Sequence, residues 1–188
     1  MPINFSKLAT LSSSIILVLL VTGCSVPVNR YQVSVDNVQV LKNMDTKFNV
    51  AEFTANKHES GIFCRAANNV ETPKGETFDK YIKDALVKEL KVAGMYSTDS
   101  QIVINGHLNE TEASSMIGDA AYWSFDITIS NSHGDSFTVK HTRNYNASFI
   151  GGIACGTNMP RAFSPSVQEL ITEIINNPKF DELFVKGV

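Results

Sequence analysis

Three cysteines, Cys24, Cys64 and Cys155, and four histidines, His58, His107, His133 and His141, have the widest chemical repertoire in this 188-residue chain. A zinc site needs such residues in closely spaced pairs, and the histidines are scattered instead. His107 and His141 both fall in strand-like stretches and could approach each other, although a solvated sheet face or a bulge accounts for each. Ser60-Gly61 and Ser132-His133-Gly134 do not form the strand–turn–helix pattern of a nucleophile elbow. Asp119 and Asp126 flank the start of a strand, where turn and surface roles explain them without an acid–base pair. Gly151-Gly152 lacks the strand-to-helix setting of a phosphate loop, and backbone freedom beside a cysteine is the plainer reason for it. The expectation is no catalytic residue, no metal and no noncovalent cofactor, hence a protein that binds rather than one that catalyses.

Cys24 has a different chemistry in prospect. One basic residue, Lys7, precedes an apolar run from Ile15 to Val21, and small residues lead from there to the cysteine. Such a run is too short for a bilayer core of about 30 Å, which takes roughly 20 apolar residues. It has the basic start, apolar middle and small-residue exit of a secretory signal. Val21-Thr22-Gly23-Cys24 resembles the lipobox of bacterial lipoproteins. The resemblance implies cleavage before Cys24 and a diacylglycerol and acyl chains on that residue. Each buried methylene contributes about 0.8 kcal/mol, so two or three chains hold where one would exchange. An ordinary secreted protein with a chance cysteine at the cut is the alternative. Ser25 rather than aspartate follows, which among such lipoproteins implies the outer membrane, facing the periplasm.

Removing residues 1–23 leaves about 165, enough for one domain with one core. A net charge of −3 argues against a nucleic-acid partner. With Cys24 assigned to the anchor, Cys64 and Cys155 remain, in a compartment where disulfides persist. Their bond would close a loop of about 90 residues, worth roughly 4–5 kcal/mol in the chain-entropy description. The alternative, a reactive thiol at Cys155, has no supporting motif.

The elements that would position these residues follow from periodicity. Residues 24–30 read as an acylated tether, and residues 31–188 as a single domain. Tyr31 to Leu41, rich in valine, predicts one irregular or two short edge strands; Lys47 to Thr54 is a second extended segment. Ala55 to Glu76 reads as a long polar loop held by Cys64. Thr77 can cap a helix in which Phe78, Ile82, Ala85, Leu86, Leu90 and Ala93 form an apolar stripe, with Gly94 as its stop. Three strands come next: Gln101 to Thr111, Tyr122 to Ser130 and Ser136 to Ala147. His141 and Arg143 interrupt the inner face of the last, predicting a bulge or a sheet edge there. Ser164 and Pro165 read as the start of a final helix carrying Val167, Leu170, Ile171, Ile174 and Ile175. A tail follows, whose Phe180, Leu183 and Phe184 could lie back on the core.

This order predicts an α+β two-layer sandwich: a mixed, mainly antiparallel sheet of four to five strands with two helices on one face. The helix after the Lys47–Thr54 strand allows it to run parallel to the Gln101–Thr111 strand. Both cysteines then fall at one end of the sheet. In layout the Val21 to Cys24 lipobox, the Phe78–Ala93 helix with its Gly94 stop and the Gln101–Ala147 meander resemble small periplasmic lipoproteins of the ABC-transport-auxiliary and lipopolysaccharide-assembly-accessory type. That resemblance implies a binding or assembly factor with no catalytic residues to carry over.

Two loops at the disulfide end carry apolar residues with no obvious core position, Met116-Ile117 and Phe149-Ile150. They either form a patch for an envelope protein partner or tuck over the open end of the core. The expected function is a non-enzymatic binding or assembly component of an envelope complex or transport system. The alternative is a lipid or glycolipid carrier, which needs an apolar cavity between helices and sheet.

Overall fold

A computed structural model describes residues 25–186 of the chain. Cys24, the expected acylation site, lies outside the described residues. The main sheet is built on three long antiparallel strands, β6 (Val103–Ser114), β7 (Gly118–Ser130) and β8 (Ser136–Ala147). Two short segments, β2 (Asn49–Val50) and β3 (Thr54–Ala55), both lie parallel to β6 on its free side. The helices α2 (Phe78–Ala93) and α3 (Met159–Ile175) pack on one face of this sheet. The α+β two-layer sandwich expected from the periodicity is therefore the fold observed.

Alternation decides which face is covered. Ile104, Gly106 and Leu108 on β6, Trp123, Phe125, Ile127 and Ile129 on β7, and Phe137 and Val139 on β8 are buried. At the centre of the layer Phe163 of α3 is surrounded by Trp123, Tyr81, Phe78 and Phe125, with ring centroids 4.8, 4.9, 5.6 and 5.8 Å away. Trp123 Nε1 donates to the Met159 carbonyl, so the indole is satisfied inside the core. The opposite face is polar. There Asn109 Nδ2 donates to Asp126 and Thr128, and Thr128 pairs with Thr138 across the strands.

Gly106 owes its presence to Phe53. A Cβ at residue 106 would lie 2.6 Å from atoms of the Phe53 ring, which is itself buried. Gly106→Ala is therefore expected to displace the ring and lower stability by about 1–3 kcal/mol. Urea denaturation checks this, and an unchanged midpoint would show that the ring has room to move.

Four expectations are corrected. The valine-rich stretch is a helix, α1 (Val35–Lys42), and not an edge strand. Ser34 Oγ accepts from the Asn37 amide at its N-terminus, and Val38 and Leu41 are buried on one helical face while Val35 is exposed. The final helix begins well before Ser164. An α-turn (Gly151–Ile153) and a π-helical segment (Ala154–Asn158) lead directly into α3, leaving Pro165 inside it. Burial of Met159, Ala162, Phe163 and Val167 outweighs the hydrogen bond that proline removes. The polar stretch 55–76 contains two strands, β4 (Gly61–Cys64) and β5 (Asn68–Glu71), which form a hairpin. Residues 25–30 are not a free tether. β1 (Ser25–Pro27) pairs in parallel with β5, completing a second, three-stranded sheet in the order β1-β5-β4, and Val28 and Tyr31 are buried.

Of the two readings at His141 and Arg143, the sheet edge is the one found. β8 is the outermost strand, and its pairing with β7 is regular at these positions. Their side chains meet carboxylates of α3: His141 Nδ1 lies 2.7 Å from Glu173 and Nε2 3.2 Å from Glu169, while Arg143 pairs with Glu169. The apolar inner face thus ends in an ion-paired seam. Beyond α3, α4 (Pro178–Asp181) and the residues after it return to the core, where Phe180 and Phe184 are buried and Leu183 packs against them.

Candidate functional site at the disulfide end

Three chain segments converge where the two sheets meet: the β4–β5 turn, the β6–β7 turn and the connection from β8 into the last long helix. Cys64 and Cys155 form the expected disulfide, with Cα atoms 5.7 Å apart and both residues buried. It joins the hairpin to the π-helical segment. The β6–β7 and β8 segments are held together by the pairing of Gly118 with Ala147. Gly118 has φ of 71°, a value that favours glycine and that this turn requires.

Arg65 ties the three segments together. Its Nε donates to the Ser115 carbonyl at 2.9 Å, as does Nη2, and Nη1 donates to the Phe149 carbonyl at 3.2 Å. To reach them the hairpin turns through Arg65 and Ala66 with φ of 47° and 53°, closed by the Ala67 amide on the Cys64 carbonyl at 2.9 Å. Two consecutive left-handed residues that are not glycine cost roughly 1–2 kcal/mol each, and the guanidinium and the disulfide offset that cost. Tyr145 donates to the Ser114 carbonyl at 2.9 Å, and burial pushes its hydroxyl pKa up to about 12, so it remains a donor.

Several backbone groups of the loops are satisfied from within. Ser114 Oγ accepts from the Met116 amide and Ser148 Oγ from the Ile150 amide, while Asn158 Oδ1 accepts from the Ser148 amide. With the backbone so occupied, the apolar side chains are left outside. Met116, Ile117, Phe149 and Ile150 are 66, 65, 75 and 51% exposed, so these side chains do not tuck over the core. Ile153 in the same connection and Phe63 on β4, both of which the sequence reading missed, are exposed as well. Among the described residues, five of the eight exposed large hydrophobic side chains lie in these segments, and Phe63 stands on the strand that leads into one of them. Scattered exposed apolar residues need no explanation; a cluster does. Asp119, one residue after Gly118, accepts from Asn146 Nδ2.

The other residues considered for chemistry do not assemble. His107 faces the polar side of the sheet, between Thr54 Oγ1 at 2.7 Å and Asn56 Oδ1 at 3.0 Å, whereas His141 lies on the covered side. Asp126 is bound by Asn109 and Asp119 by Asn146, so each has its own partner. Gly151 and Gly152 lie in a helical turn without positive φ, so neither needs the freedom of glycine there. Among the described residues no group of three or more His, Cys, Asp or Glu side chains could hold a metal ion, and no helix is long and apolar enough to cross a membrane.

No family model matches the chain, and no curated protein does. Among solved structures it is similar to the crystal structure of protein XCC0632 from Xanthomonas campestris, described by the family DUF330. Identity is 14%, the TM-score is 0.50, and the match covers 84% of this chain and 94% of that one. That likeness is one of fold. An uncharacterized protein is also matched, at 10% identity and a TM-score of 0.43, over 80% of this chain and 99% of that one.

Proposed function

We propose that this chain is a lipid-anchored, non-enzymatic binding or assembly component of an envelope complex or transport system. It is held by acyl chains on Cys24 and sits on the outer membrane facing the periplasm. The reading is carried by the Val21-Thr22-Gly23-Cys24 motif at the end of a short apolar run. A buried disulfide agrees with an oxidising compartment. The carrier alternative fares less well. Between helices and sheet, the centre of the core is filled by Trp123, Phe78, Phe125 and Phe163. A more apolar cleft, of about 420 Å³, lies instead beside the exposed β7–β8 turn, near His133, Ile102 and Leu183.

The test is the mass of the N-terminal peptide of protein isolated from its host membranes. The expected peptide begins at Cys24 and carries a diacylglycerol and acyl chains, and Cys24→Ser moves the protein from the membrane to the soluble fraction. An unmodified peptide, or a Cys24→Ser variant still bound to membranes, overturns the reading.

A further inference from the structure

We propose that the apolar tip formed by Met116, Ile117, Phe149 and Ile150 is a second membrane-contact element, seated in the same bilayer leaflet as the anchor. The inference rests on the acylation of Cys24 and adds to it a fixed orientation of the domain.

The strand register is the main argument. β5 starts just after the Arg65–Ala67 turn and runs away from the tip, and β1 is parallel to it with Ser25 opposite Asn69. Asn69 in turn pairs with Phe63. Ser25 therefore lies two strand spacings, about 10 Å, from Phe63, and β1 also runs away from the tip. Cys24 is one Cα step, about 3.8 Å, from Ser25. With β1 paired and Val28 buried, no free length of chain separates anchor from domain. Acyl chains attached one residue before Ser25 would leave the domain from this end and draw the tip towards the membrane surface.

The composition of the tip suits that place. Aliphatic and aromatic side chains project from loops in which the Met116, Ser148 and Ile150 amides and the Ser115 and Phe149 carbonyls are already engaged by Ser114, Asn158, Ser148 and Arg65. Loop backbone is costly in a bilayer where it is unsatisfied, and these contacts lessen that cost. The exposed apolar residues then enter the headgroup–acyl boundary as the apolar face of an interfacial helix does. The long strands stand away from the membrane, and the β7–β8 turn with His133 is the distal end.

The experiment uses the acylated full-length protein in phosphatidylethanolamine–phosphatidylglycerol vesicles, with and without phosphatidylcholine brominated near the top of its acyl chains. Ile117→Trp and Phe149→Trp report from the tip and His133→Trp from the far end, each against the fully buried Trp123. The expected result is that brominated lipid removes more than half of the fluorescence added at residues 117 and 149 and none of that added at 133. Equal, weak quenching at all three positions overturns the proposal. A photocrosslinker at residue 117 that captures an envelope protein while the tip tryptophans stay unquenched overturns it as well, in favour of a protein interface. The mass of the N-terminal peptide from the same preparation separates the two failures. An acylated protein with an unquenched tip defeats only this inference, whereas an unacylated one defeats the anchor reading beneath it.

Discussion

Glu89→Ala is expected to destabilise the domain by about 3–5 kcal/mol, because it strips the shared acceptor from three buried or part-buried donors at roughly 1–3 kcal/mol each. Glu89 is fully buried on α2. Its Oε1 accepts from the Tyr31 hydroxyl at 2.5 Å, the Ser34 amide at 2.9 Å and Asn37 Nδ2 at 3.4 Å. Asn37, also fully buried, accepts from Thr172 of α3 at 2.8 Å. One carboxylate thus links α1, α2 and α3 and fixes the segment that leads away from Ser25. Alanine would leave the Tyr31 hydroxyl, the Ser34 amide and the Asn37 amide group without that acceptor, and an unsatisfied buried group costs roughly 1–3 kcal/mol. The Tyr31 hydroxyl cannot escape by ionising, since burial and the neighbouring Glu89 push its pKa far above the usual phenol range. Glu89→Gln keeps an acceptor in place and should cost only about 1 kcal/mol. The contrast between the two variants in urea denaturation is the measurement. Equal midpoints would mean that the carboxylate is not the organising group.

How much of this was legible depends on whether burial could be inferred from period. Phe137, Val139 and their polar alternates define the start of β8 despite the interruption at His141 and Arg143, and the helix between β2 and β6 is what allows those two strands to pair in parallel. α1 was missed because Val33, Val35, Val38 and Val40 favour strand by propensity. Ser34 as a cap, with Asp36 in the first turn, was the signal to weigh against them. Phe163, the centre of the core, sat unread before Ser164-Pro165, a pair that resembles a helix start. Only tertiary packing shows that the helix runs through it. The β4–β5 hairpin was invisible because its strands are four residues long and its turn uses Arg65 and Ala66 where Asn-Gly is the usual choice. Glu89 could have been found. It stands three residues after Leu86 and four before Ala93, inside the apolar stripe, where a carboxylate demands buried partners. The tip was half legible: two apolar pairs in loops were apparent, but their union through Arg65 and their nearness to Ser25 depend on register that no local pattern encodes.

Removing the Cys64–Cys155 bond should have an effect of the same size and a different character. The bridge spans 91 residues, and closing a loop of that length removes about 4–5 kcal/mol worth of denatured-state entropy in the chain-entropy description. For a domain of this size each kcal/mol moves the thermal midpoint by roughly 2–4 °C, so Cys64→Ala/Cys155→Ala is expected to melt about 10–15 °C below the parent. Reductant should lower the parent towards the same value and leave the double variant unmoved, which separates the covalent constraint from any packing lost with two buried sulfurs. The loss is also expected to be local. Among the described residues the β1-β5-β4 sheet shares no strand pairing with the main sheet, and Arg65 of its turn bonds to the Ser115 and Phe149 carbonyls. Without the disulfide those partly exposed hydrogen bonds must hold the turn against its own left-handed strain. Amide exchange should therefore rise in β4, β5 and the β6–β7 turn well below the global transition, while the central β7 amides keep their protection. In the membrane-bound protein the same change should weaken quenching at residues 117 and 149, because the bridge fixes the β1-β5-β4 sheet, from which the anchor leaves, against the segments that carry the tip. Uniform exchange across both sheets, or a midpoint within about 2 °C of the parent, would show that the main sheet fixes the hairpin without help from the sulfur bridge.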